Sequence, residues 1–173
     1  MLRLWTRGSR QSQERTYRAR MPYADWAAVT RDLTTALDRL DDREFLIMGE
    51  KEACSTPRRR LFGRRTTPEP TRYVQVLRVG EVLSTECVGA VCLGGTWEMD
   101  HVTIEGLRGL GWLTPAESRA EFGSLSPNFA LYVDIECTHE LPPFLVATLA
   151  VLGARPEALV LTYSSGAAAQ VAG

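Results

Sequence analysis

Residues 72–88 of the chain read RYVQVLRVGEVLSTECV. β-Branched residues and leucine fill two runs, 72–79 and 82–88, and this composition favours strands over helix. Gly80 and Glu81 lie between the runs, and a two-residue connection that contains glycine is typical of a tight turn between antiparallel strands. The stretch therefore predicts a β-hairpin, around which the rest of the fold can be placed.

Helical and extended segments lie on both sides of this hairpin. Residues 25–40 repeat apolar residues every three to four positions after Asp25, a residue type that caps helix N-termini, and this pattern predicts a helix. In residues 129–137 apolar residues alternate with polar ones, which predicts a strand with one buried face. The other predicted elements are a strand at 45–48, a short helix at 103–110 ended by Gly111, a helix from Pro142 to Gly153 and an extended segment at 159–163. This order indicates an α+β fold rather than a parallel α/β sheet.

The charge distribution divides the chain into a basic leader and an acidic remainder. Residues 1–22 contain six arginines and one glutamate and so carry +5, whereas the whole chain of 173 residues carries −1. Their low apolar content predicts a flexible basic arm at 1–22, and small residues predict a flexible tail at 164–173. A single α+β domain is predicted at 23–163, with a long Arg-rich loop at 50–70 inside it.

The residue types that usually carry catalysis or bind metal form no recognisable motif. The two histidines, His101 and His139, belong to no metal-ligand pattern, and the four cysteines form no CxxC pair. Nucleophile elbows and phosphate-binding glycine loops do not occur in the sequence either. We therefore predict a protein that is not an enzyme and that has no metal or cofactor; a hydrolase would need a cleft with a strongly perturbed carboxylate or thiol.

Membrane insertion is not expected from the sequence. No segment approaches the roughly 18 consecutive apolar residues that a membrane-spanning helix needs. The basic leader also lacks the apolar centre of a signal peptide. These features predict cytoplasmic residence.

Two features stand out as candidate contacts for a partner. Five arginines fall within residues 58–65, including Arg58, Arg59 and Arg60, and such a run either grips phosphates or an acidic partner or is a solvated loop. The solvated loop is favoured, because the run contains a single aromatic residue, Phe62, and the remainder of the chain is acidic. As a partner of the run, an acidic protein is favoured over nucleic acid. Trp97 follows two glycines in a predicted loop, where an exposed aromatic ring can serve as a binding hot spot.

Several phrases of the sequence resemble the YbjN and type III secretion chaperone-like superfamily, and more narrowly its TY-Chap group of peptide-binding chaperone domains. The phrases are Tyr73-Val74-Gln75-Val76, Leu83-Ser84-Thr85-Glu86-Cys87-Val88-Gly89, Leu110-Gly111-Trp112 with Pro115 beyond it, Asn128-Phe129, and Pro156-Glu157-Ala158-Leu159 followed by Thr162-Tyr163. The resemblance covers residues 23–163. None of these phrases is catalytic.

The resemblance implies a twisted antiparallel sheet packed against helices, cytoplasmic residence, no cofactor and a homodimer. It also implies a client protein or peptide, held along the surface of the domain. A sheet edge can add a client strand while pockets contact alternate side chains. The hairpin strands and the polar face of 129–137 are the predicted contact regions, with Tyr73, Gln75 and Tyr132 as candidate residues. The alternative function is a regulatory protein that binds nucleic acid or an acidic partner through its Arg-rich arm and loop.

Overall fold

The computed structural model describes residues 23–50 and 72–165, with side chains described through Tyr163. The described residues form four helices and five strands. In chain order these are α1 (Trp26–Leu37), β1 (Glu44–Glu50), β2 (Tyr73–Val79), β3 (Val82–Cys87), α2 (His101–Leu110), α3 (Pro115–Phe122), β4 (Phe129–Asp134), α4 (Leu141–Val151) and β5 (Leu159–Ser165). The predicted arm at 1–22, residues 51–70 of the predicted loop and residues 166–173 of the predicted tail lie outside the described residues.

One antiparallel sheet contains all five strands, in the order β4-β3-β2-β1-β5. The predicted hairpin forms β2 and β3, and Val79 pairs with Val82 across the turn. Gly80 occupies that turn with φ of +60°, a backbone conformation that favours glycine. β5 pairs along the whole of β1 and forms the second edge of the sheet. The α+β class and the antiparallel sheet predicted from the sequence are therefore confirmed.

The inner face of the sheet packs against α1 and α4 and forms the core. Leu46, Met48, Val74 and Val76 point to this face, and each is 0% exposed. They share one apolar cluster with buried leucines of the two helices. Burial of aliphatic side chains at this interface provides the main favourable free energy of the fold.

Two predicted helix boundaries, the start of α1 and the end of α2, are confirmed. The Asp25 side chain accepts a hydrogen bond from the Ala28 backbone N–H and caps α1. Gly111 ends α2 with φ of +107°, and the Trp112 N–H returns to the Leu107 carbonyl. The Trp112 ring then packs against Phe144 of α4, with ring centroids 5.2 Å apart.

One prediction about the second half of the chain is wrong, and one helix was not predicted. The strand predicted at 129–137 ends at Asp134, and the chain continues as a 3₁₀ turn, Ile135–Glu140. The alternation of apolar residues extends past the strand because Ile135 also packs against the core. Helix α3 was not predicted, since it presents no apolar stripe, although Thr114 and Glu117 form a capping box at its start.

Candidate functional site

The sheet has a second face, opposite α1 and α4, that we call the outer face. Residues directly opposite each other in an antiparallel pair place their side chains on the same side of the sheet, so the register defines this face. Its members within the described side chains are Phe45, Ile47, Gly49, Tyr73, Gln75, Leu77, Val79, Val82, Ser84, Glu86, Ala130, Tyr132, Asp134, Val160 and Thr162. Most of them are half-buried or exposed, in contrast to the inner face.

Apolar side chains dominate one end of the outer face. Phe45 lies opposite Leu77, and both are half-buried. Val79 and Val82 lie opposite each other at the hairpin tip and are 53% and 37% exposed. Together these four side chains form an accessible apolar surface next to the turn, where an apolar partner can pack.

Helix α3 borders the outer face along β4. The Phe122 ring lies against the Tyr132 ring, with centroids 4.2 Å apart, and is itself 50% exposed. The Ser118 hydroxyl lies 3.4 Å from the Tyr132 hydroxyl. The helix therefore places an exposed aromatic ring at the β4 side of the outer face.

A polar cluster occupies the opposite end of the outer face. Asn128 Nδ2 donates to the Tyr73 hydroxyl at 3.0 Å and to Glu86 Oε2 at 2.8 Å, while Asn128 Oδ1 accepts from the Gly89 N–H at 3.1 Å. A Cβ at position 49 would lie 2.6 Å from Tyr73 Cβ, so the close approach of Tyr73 to β1 requires glycine at this position. Burial raises the pKa of Tyr73, the Asn128 hydrogen bond lowers it and the negative charge of Glu86 raises it further. At neutral pH the Tyr73 hydroxyl therefore keeps its proton.

The outer face brings together three of the residues predicted from the sequence. Tyr73 and Gln75 lie on β2 and Tyr132 on β4, and all three are half-buried on the same side of the sheet. Gln75 lies opposite Glu86, and Tyr132 lies opposite Ser84. Five further residues were not singled out from the sequence, although two of them lie on the predicted hairpin strands: Phe45, Leu77, Glu86, Asn128 and Phe122. Their relation to Tyr73, Gln75 and Tyr132 depends on how the elements come together in space.

Trp97 does not share this surface. The Arg72 guanidinium lies over its ring at 4.7 Å from the centroid. The same Arg72 pairs with Glu50 at 2.7 Å and donates to the Leu152 carbonyl at 2.6 Å, so it links the end of β1 to the end of α4. Trp97 is half-buried against this group, and the prediction of an exposed ring in its loop is wrong. Arg58, Arg59 and Arg60 lie outside the described residues.

A comparison with protein families gives a match over residues 19–166 to a family described as T3SS (YopN, CesT) and YbjN peptide-binding chaperone 3, or TY-Chap3. The chain belongs to this family. The match covers the whole α+β domain at 23–163 and agrees with the resemblance carried by the strand and helix-end phrases. Searches of curated proteins and of solved structures give no match.

An unpaired edge of a sheet can add an extended peptide as a further strand. At the β4 edge, Ala130 already exchanges two backbone hydrogen bonds with Leu113, each 3.0 Å long. These bonds and the adjacent α3 limit strand addition along β4. The β4 edge is therefore a less favourable place for strand addition than an unpaired edge, and the other edge of the sheet is β5.

The remaining chemistry of the described residues is not that of a metal site. Within residues 23–50 and 72–165, no three or more His, Cys, Asp or Glu side chains converge so as to hold an ion. His101 and His139 are exposed beside Glu105 and Glu140. The Cys87 thiol is buried, and burial raises its pKa well above the ordinary value, which keeps it protonated and unreactive. Across those same ranges, no helix combines the length and the apolar character needed to span a bilayer.

Proposed function

We propose that this protein is a non-catalytic peptide-binding module that holds an extended segment of a client protein against its outer face. The observation that carries the proposal is the accessible apolar surface formed by Phe45, Leu77, Val79 and Val82, with the exposed ring of Phe122 on the same side of the sheet. The description of the family as peptide-binding chaperones supports the same reading.

The geometry of an extended chain suits this surface. Side chains of an extended segment alternate between two sides, so every second client residue can pack on the sheet while the others face solvent. Burial of each aliphatic side chain contributes on the order of 1.5–3 kcal/mol before the cost of ordering the segment. A few such residues therefore provide moderate affinity for an unfolded client and little affinity for a folded one.

The same proposal includes the wider properties expected from the sequence. We place the domain at 23–163, flanked by a basic arm and a short tail, and expect it to act in the cytoplasm without a cofactor. A homodimer is part of the proposal. The family match over residues 19–166 supports the bounds of the domain.

Peptide display tests the proposed function. The full chain is used to select from a phage library of random peptides of about twelve residues, a length that spans the sheet in extended form. We expect enrichment of apolar peptides that persists in high salt, because burial of apolar surface is not screened. The substitution Leu77→Asp places a charge in the middle of the apolar surface and should abolish the enrichment of apolar peptides.

Val102 provides a matched control, since it is an aliphatic side chain on α2, away from the outer face, and is 78% exposed. Val102→Asp should select the same peptides as the unmodified chain. If Leu77→Asp lowers the melting temperature, Val79→Asp at the more exposed hairpin tip makes the same test. Selection that survives these outer-face substitutions, or that disappears only at high salt, would contradict the proposal and point to the Arg-rich segments.

A further inference from the structure

The charge of the outer face is one-sided. Among the members of the outer face defined above, two side chains are charged, Glu86 and Asp134, and both are acidic. Asp134 is exposed beside the hairpin, whereas Glu86 is half-buried between Gln75 and Ala130, in the polar cluster at the other end of the face. A client that covers this face therefore meets a carboxylate among apolar and neutral polar side chains.

Glu86 is held in a fixed orientation and carries no countercharge among the described residues. Asn128 engages Glu86 Oε2, and Asn128 is itself fixed by Gly89 and Tyr73. None of the ion pairs formed within residues 23–50 and 72–165 involves Glu86. A carboxylate has about four acceptor positions, so Glu86 retains acceptor capacity at Oε1.

We infer that the outer face selects client segments in which an arginine or lysine stands among apolar residues, and that Glu86 pairs with this basic side chain. The inference rests on the proposed function and names the class of client. Asn128 is the positioning residue for Glu86. The apolar surface at Phe45 and Leu77 contacts the apolar neighbours of the basic client residue.

Desolvation explains why such a site discriminates. A client that covers Glu86 removes water from the carboxylate, and leaving the charge unpaired is strongly unfavourable. A guanidinium or ammonium group against Oε1 replaces the lost water with a charge-assisted hydrogen bond. A neutral or acidic client residue at this point binds more weakly because it provides no countercharge for the desolvated carboxylate, so specificity comes from the penalty as much as from the contact.

The display selection described above contains the first test. Peptides enriched by the full chain should be rich in Arg or Lys flanked by apolar residues. Selection with Glu86→Gln should retain the apolar residues and lose the basic preference. The matched control is Glu98→Gln, which removes the same charge from an exposed loop residue outside the outer face.

A binding cycle gives the quantitative test. The most enriched Arg-containing peptide is labelled with fluorescein and compared with its Arg→Gln counterpart by fluorescence anisotropy. For the unmodified chain and for Glu98→Gln, the Arg peptide should bind about tenfold more tightly, the factor expected of one hydrogen bond to a charged group. For Glu86→Gln the ratio should fall to about one, since the pairwise contribution is gone.

The possible failures separate cleanly. Enriched peptides that are apolar but not basic, or a ratio unchanged by Glu86→Gln, would overturn this inference and leave the proposed function intact. Absence of enrichment over a blank surface, or enrichment that Leu77→Asp does not affect, would overturn both.

Discussion

Thr85 and Thr148 are both 0% exposed, but their hydroxyl groups differ in what they contact. Thr148 Oγ1 accepts from Trp112 Nε1 and donates to the Phe144 carbonyl, each at 2.9 Å. Thr85 lies on the inner face between Val76 and Leu131, and its hydroxyl has no hydrogen-bond partner within the described part of the chain. Burial of such a hydroxyl without a partner is unfavourable, so the two threonines should respond in opposite ways to replacement by valine.

Chemical denaturation measures this difference directly. Thr85→Val should raise the free energy of unfolding by about 1 kcal/mol, because it replaces an unsatisfied polar group with a methyl of similar volume. Thr148→Val should lower it by roughly 1–3 kcal/mol, because the indole N–H of Trp112 loses its acceptor in the core. Equal destabilisation by both substitutions would mean that Thr85 has a polar contact that this structure does not contain.

At the scale of an element, two glycines of α2 test how the helix ends. Gly109 lies within the helix and Gly111 ends it with φ of +107°, and an added Cβ meets nothing within 4 Å at either position. Gly109→Ala should therefore stabilise the fold by about 0.5–1 kcal/mol through backbone entropy. Gly111→Ala should destabilise it by about 1 kcal/mol or more, since only backbone strain differs. Thermal melting of the two variants compares them, and a shift in the same direction would show that the left-handed cap is not required.

The elements that the sequence predicted are those with a local signal. Asp25 marked the start of α1, Gly80 marked the hairpin turn and Gly111 marked the end of α2, and each acts through contacts a few residues away. Helix α3 lacks an apolar stripe, and its contacts with β4 include those of Ser118 and Phe122 with Tyr132. Its local signals were the capping box, a proline at its first position and Gly123 at its end, and none of them was used to predict it. Periodicity alone detects helices that bury a full face, and α3 does not.

At the scale of the whole molecule, the outer face could be predicted only in part. Alternation along β2 and β4 identified Tyr73, Gln75 and Tyr132 as residues facing away from the core, but it could not show that they share one surface. That relation depends on the position of β3 between the two strands, and on β1 bringing Phe45 opposite Leu77. Asn128 lies outside any strand, and its role follows from three contacts distant in sequence.

The fold as a whole should lose stability in alkaline solution, because three of its acidic protons are held more tightly in the folded chain. Burial raises the pKa of Cys87 well above its ordinary value, raises the pKa of Tyr73, and raises the pKa of Tyr163 to about 12. The unfolded chain releases these protons at about pH 8.5 for a thiol and about pH 10 for a phenol. Below those values the folded and unfolded chains are equally protonated, whereas above them the unfolded chain binds fewer protons, so the free energy of unfolding falls as pH rises. Denaturant titrations from about pH 7 to about pH 12 should show this decline.

The substitution Tyr163→Phe tests the contribution of one phenol. It removes the hydrogen bond to the Ala36 carbonyl and lowers stability at neutral pH, but it should flatten the decline between about pH 10 and pH 12. An unchanged slope in Tyr163→Phe would show that this phenol does not contribute to the alkaline loss.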